Sequence, residues 1–176
     1  MNDSKLPIAI FISFLLFMSA VVWMSTIRHE LVIPDKKINA LYSLEIAGNK
    51  EQVVYIINTW SEAGKKEFAW KINYIEFLLI PGYTAFLFFG VRLLAIKWPN
   101  PFKKVLKFLI VMAILPGILD IIEGAGIFLW LSGTVDSITP VIVEIVSFLK
   151  FLVVIPMALL VIGGFLFAFL KKVTKR

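Results

Sequence analysis

Residues 105–131 read VLKFLIVMAILPGILDIIEGAGIFLWL, and only Lys107, Asp120 and Glu123 among them are ionisable. A bilayer core about 30 Å thick is crossed by about 20 apolar residues rising 1.5 Å each. The stretch is long enough to cross, and it lacks the apolar–polar alternation of a barrel strand. Working outward, three more runs meet the same test: about residues 8–27, 72–96 and 138–170. The last exceeds what a core needs, so it must tilt, protrude or bend, and Pro156 offers a place to bend. The expected fold is all-α: an integral membrane four-helix bundle, one transmembrane domain over residues 1–176. A short extracytoplasmic helical segment is expected between helices 1 and 2, in the connection 28–71.

Composition agrees. Of 176 residues, 60% belong to the hydrophobic set and 17% are charged, against about 25% charged in soluble domains. Cysteine is absent, which removes disulfides and thiolate chemistry, and His29 is the only histidine. No metal site and no cofactor are expected from such a set. The first span has some features of a secretory signal. Met18-Ser19-Ala20 imitates a cleavage site, but Met18 stands where a small residue is wanted. The apolar run also continues through Val21, Val22, Trp23 and Met24. An uncleaved anchor is the better reading.

Orientation follows from lysine and arginine near the span ends. Lys97, Lys103, Lys104 and Lys107 lie between the second and third spans, with Arg92 just inside the second. The tail carries Lys171, Lys172, Lys175 and Arg176, while the third connection has Asp136 and no base. Both termini are therefore expected in the cytoplasm, in a multi-pass arrangement in the plasma (inner) membrane. The net charge of +6 is largely this bias, so the partner expected is the lipid bilayer and not a nucleic acid. Connection 28–71 nearly balances seven bases against six acids, compatible with translocation. Within it Asn49, with Gln52 three residues on, marks a helix start, and Gly64 a stop. Val53, Ile56, Ile57 and Trp60 would give that helix an apolar face, to lie on the membrane or roof the bundle. Trp60 and Trp70 suit the outer interface and Trp98 the inner one.

Ionisable side chains inside a membrane are costly and point to function by default. Five stand out: Asp120, Glu123, Lys150, Glu144 and Glu76. Asp120 and Glu123, three apart, project from one helix face, flanked by Pro116-Gly117 and Gly124-Ala125-Gly126. Helical rise puts Glu123 about 12 Å and Asp120 about 16 Å below the outer boundary, and Lys150 about 15 Å down the fourth span. An ion pair between Lys150 and one of the two acids is the natural expectation. Glu144 shares a face with Ser147, and Glu76 would sit with Asn73 and Tyr74 in a wet vestibule. Pairs of this kind also serve only to fix helix register.

The run Leu115-Pro116-Gly117-Ile118-Leu119-Asp120-Ile121-Ile122-Glu123 resembles an element of small bacterial four-helix membrane proteins of unknown function. Those carry proline, a small residue and Asp-x-x-Glu in the third helix. The likeness extends to Ser61–Lys66 and to Ile80-Pro81-Gly82-Tyr83, and departs at Gly124, where asparagine is usual. The resemblance implies a bacterial source and no settled activity. The emopamil-binding-protein-like isomerases are similar in architecture, though their histidine-bearing motif has no counterpart here.

Three functions follow as expectations. The first is binding of an amphiphilic or cationic small ligand, or a proton, at an intramembrane acidic pocket made of Asp120, Glu123, Lys150, Glu144 and Glu76. The second is a membrane enzyme working on a lipid or isoprenoid by carboxylate acid/base chemistry. The third is a membrane scaffold or assembly partner, joining a homo-oligomer or another membrane protein.

Overall fold

A computed structural model describes residues 5–31, 40–98 and 100–173. Asp35, Lys36 and Lys37 of the first connection, and Lys175 and Arg176 of the tail, lie outside the described residues. Among the described residues seven helices follow one another: α1 Leu6–Arg28, α2 Ala40–Glu45, α3 Lys50–Glu62, α4 Lys66–Lys97, α5 Asn100–Met112, α6 Leu115–Leu131 and α7 Thr139–Val173. No strand occurs among the described residues. Four units among the described residues are long and apolar enough to cross a membrane: Leu6–Arg28, Lys66–Lys97, Phe102–Leu131 and Thr139–Ala168. The chain is a multi-pass membrane protein built as a helical bundle.

The third span corrects the expectation of one helix over 105–131. It is two helices, α5 and α6, separated at Ala113 and Ile114. Pro116 has no N–H for the carbonyl of Met112, and its ring crowds that carbonyl. The chain answers with a tight turn in which the Ile114 N–H donates to Val111 O at 3.2 Å, before Ile118 N–H resumes helical bonding to Ile114 O at 3.3 Å. By contrast α4 and α7 run unbroken through Pro81 and Pro156.

The 32-residue α4 is the hub, with α1, α5, α6 and α7 packed around it, while α6 and α7 pack on each other. Its seat on α1 is set at Gly82, where an added Cβ would lie 2.9 Å from the Phe17 backbone nitrogen. Only glycine lets two backbones approach so closely. Two apolar layers fill the bundle. One includes Met24, Ile72, Ile127, Trp130 and Val143; the other, toward the lysine-rich α4–α5 turn, includes Leu87, Val91, Leu94, Met157 and Val161. We call the two ends the cap end and the basic end. Outward faces carry exposed side chains such as Phe11, Leu15, Phe148, Leu152 and Leu159, the dress of a lipid-facing surface.

The cap comes from the first connection. The Asn49 side chain accepts a hydrogen bond from Gln52 N–H at 2.9 Å and starts α3. Gly64, at φ +67, turns the chain after α3, and α4 begins at Lys66. Of the two expected postures for α3, roofing is the one observed: Val53, Ile56, Ile57 and Trp60 are buried in the cap-end core. Trp60 is therefore not the interfacial anchor expected of it, since it is fully buried. Trp70 stacks on Tyr74 and meets Phe128 edge-on, and Trp98 meets Phe102.

Candidate functional site

Helices α6 and α7 are antiparallel, and a three-residue spacing on each puts one pair of side chains on the shared face. Asp120 and Glu123 on α6 thereby meet Lys150 and Ser147 on α7. The Lys150 ammonium bridges both acids, 2.8 Å from Asp120 Oδ1 and 2.8 Å from Glu123 Oε1. Ser147 Oγ donates to Glu123 Oε2 at 2.5 Å. From α4, Tyr83 O–H donates to Asp120 Oδ2 at 2.5 Å. All four carboxylate oxygens are thus engaged, in a network that ties α4, α6 and α7 together. Glu123, Ser147 and Lys150 are buried. Such charge-assisted bonds offset the large cost of taking ions out of water. The expected partnership of Lys150 is observed with both acids.

Beside the network lies a cavity of about 420 Å³, lined from α1, α2, α4, α6 and α7, within the size range of small-molecule sites. Its cap end is charged: Arg28, Glu45 and Glu76 join Asp120, Glu123 and Lys150. Its far end is apolar, with Phe14 and Phe17 from α1, Phe86 from α4, and Val154, Ala158 and Ile162 from α7. Gly124 on α6 leaves room for the Phe77 ring, which an added Cβ would meet at 3.0 Å.

Two of these carboxylates are not in the network. Glu45, the last residue of α2, is only 7% exposed, and its Oε2 has no hydrogen-bond partner. Burial pushes its carboxyl up from the ordinary 4.5 to about 7; the negative charge of Glu123 adds to this, and Lys150 and Arg28 oppose it. Glu76 lines the cavity, and its side chain makes no hydrogen bond or ion pair among the described residues. Closer to the cap, Asn73 is fully buried and neither atom of its amide is paired, and the indole nitrogens of Trp60 and Trp130 are likewise unpaired. No three metal-ligating side chains among the described residues converge as a metal site would require.

Of the five residues singled out from sequence, the structure brings four together: Asp120, Glu123 and Lys150 in the network, and Glu76 on the cavity wall. Glu144 is the exception. It is exposed and rests against Gly48, whose added Cβ would meet Glu144 Oε2 at 2.7 Å, and it does not line the cavity. Glu144 stands six residues before Lys150, about 120° round α7 from it at 3.6 residues per turn, and so leaves the face that Ser147 and Lys150 share. The vestibule expected around Glu76 is also corrected, because Asn73 is fully buried while Tyr74 points out, 57% exposed. His29 is a boundary residue 3.4 Å from Glu30.

Three participants were not anticipated. Tyr83 was legible in principle: Asn73, Glu76, Ile80 and Tyr83 follow helical spacing along one face of α4. Glu45 carried no local signal, since only the path of the connection brings it to the cavity, and Arg28, the last residue of α1, arrives with the packing of α1 on α4. No family model matches this chain, and neither a curated protein nor a solved structure matches it.

Proposed function

We propose that this protein binds an organic cation at the charged end of the intramembrane cavity, with Glu45 and Glu76 as the receiving carboxylates. The observation that carries the reading is a charge imbalance. Glu45, Glu76, Asp120 and Glu123 line the cavity against Arg28 and Lys150, so the carboxylates outnumber the bases by two. A buried charge without a counter-charge is too costly to persist, and it takes up a proton or a cation. Asp120, Glu123 and Lys150 already satisfy one another, and on this reading they hold the helices while Glu45 and Glu76 do the binding. The positive-inside bias supports placing the basic end in the cytoplasm and the cap outside, and the resemblance of the Asp120–Glu123 motif is what suggests a bacterial inner membrane. The saturated network favours a second reading, a scaffold whose buried charges only fix packing.

Thermal stabilisation by a small ammonium compound such as butylamine, in protein purified into nanodiscs, tests the first reading. Stabilisation that disappears in Glu45→Gln/Glu76→Gln is the expected result. Its persistence in that double variant would remove the two carboxylates from the reading, and no stabilisation of the wild type would leave the scaffold.

A further inference from the structure

The cavity is not only charged at one end but elongated, and its long axis follows the helices. On α1 its lining runs from Arg28 to Phe14, and on α7 from Lys150 to Ile162; at 1.5 Å per residue these spans are about 21 Å and about 18 Å. The charged groups gather at the cap end, and the remaining length is apolar. A small hydrophilic cation would use only the first part.

The sides of the cavity are also unequal. At the cap, Glu45 forms part of the wall of the charged end, and Leu44, Val53 and Trp60 of α2 and α3 are fully buried. Along the apolar length, α1 leans on α4 and forms no principal packing contact with α7. Phe14 and Ile162 line the cavity from those two helices and are nevertheless 40% and 49% exposed. The cavity is open between α1 and α7, on the side that faces lipid.

We propose that the ligand is a single-chain amphiphile with an N–H-bearing ammonium headgroup, taken from the bilayer through the gap between α1 and α7. The inference rests on the cation reading above and adds the tail and the route. Glu45 Oε2 is an acceptor without a donor, and Glu76 stands beside it at the charged end. They call for charge and for hydrogen bonds together. A primary ammonium supplies both, and a quaternary ammonium only the first. The tail lies along Phe17, Val154 and Ala158, apolar surface that lipid chains would otherwise cover. The amine reaches the carboxylates without crossing the roof.

A photoreactive alkylamine, with its diazirine at the tail end, tests this in nanodiscs of zwitterionic lipid. Labelled residues are mapped by mass spectrometry. Labelling concentrated at Phe14, Phe17, Ala158 and Ile162 is expected, competed by dodecylamine but not by dodecanol, and less well by dodecyltrimethylammonium. In Glu45→Gln/Glu76→Gln it falls by about tenfold or more, the factor that one lost charge-assisted hydrogen bond commands. Ala158→Phe plugs the tail path and lowers labelling similarly while butylamine still stabilises; Ile162→Phe, at the rim, replaces it if that variant does not fold. Labelling spread evenly over outward residues such as Phe11 and Leu152, or unaffected by dodecylamine, overturns the proposal. If butylamine still acts through Glu45 and Glu76 in that case, the cation reading survives and only the tail and route are lost. If neither amine responds to the double variant, both fall.

Discussion

The two ends of the bundle obey different rules. At the basic end α4 and α7 interlock through glycines: an added Cβ at Gly90 would lie 2.6 Å from Val161 Cγ1, and one at Gly164 2.6 Å from Leu94 Cδ2. The buried layer there, with Leu87, Val91, Met157 and Val161, is apolar apart from the Tyr83 hydroxyl at its edge and, on α1, Ser13, whose hydroxyl donates to Ile10 O of its own helix. At the cap end a comparable apolar layer surrounds Glu45, Asn73, Glu123, Ser147 and Lys150, all buried, and several of its polar atoms have no partner. Packing of the first kind stabilises a membrane bundle through dispersion contacts alone. Buried polar groups of the second kind add little net stability and much cost when unmatched. On the cation reading, that half holds them for a ligand. The polar column along α4 ends at Tyr83 and Thr84, with Leu87, Gly90, Val91 and Leu94 buried below it.

The largest effect should come from breaking the network at its one cation. Lys150→Met leaves Asp120 and Glu123 facing each other without a counter-charge, and should cost about 3–5 kcal/mol, read as a lowered thermal midpoint. Lys150→Met combined with Asp120→Leu removes the cation together with one of its acids and should recover part of that loss. Purely additive losses in the double variant would show that the two residues do not depend on each other. That result would erase the distinction between the two ends.

Glu45 gives a pH signature that the basic end lacks. Below about pH 4.5 its carboxyl is protonated in the folded and unfolded chain alike. Between there and about 7 the folded chain keeps a proton that the unfolded chain has released, so stability falls as pH rises. At about 1.4 kcal/mol per pH unit the loss across that window is about 3 kcal/mol, complete once the buried carboxyl ionises. Glu45→Gln should flatten that part of the curve of thermal midpoint against pH. A cation bound at Glu45 competes with the same proton, so amine binding should tighten as pH rises toward 7. Superimposable curves for wild type and Glu45→Gln would place the carboxyl in water.

What the sequence disclosed follows from the range of the interactions involved. The spans, the α3 cap at Asn49 and the stop at Gly64 are set by neighbours a few residues away, and all three were legible. The Lys150 network was legible as well, because helical rise and antiparallel packing convert residue numbers into depth. The break at Ala113–Ile114 was missed although Pro116 was in view, since apolar content measures crossing and not continuity. Glu144 was misplaced because rotation about α7 is set by packing, here against Gly48 of the cap. Glu45 arrives from a connection whose path depends on the α3 roof, and no local pattern announces it.

The smallest effect belongs to the basic end, and it tests whether that half is packing alone. Gly90→Ala forces a methyl against Val161, a β-branched side chain with little freedom to turn away. Overpacking of this order should cost about 1–3 kcal/mol. Val161→Ala on the same chain removes the obstructing methyls and should restore most of the loss, which thermal midpoints of the single and double variants would measure. The loss should not vary with pH, and butylamine stabilisation should be unchanged in Gly90→Ala, because no ionisable group shares that contact. A pH-dependent penalty, or weakened amine binding, would mean that strain at Gly90 travels along α4 to Tyr83 and Glu76. The two ends would then be one cooperative unit, and the division of labour between them would have to be given up.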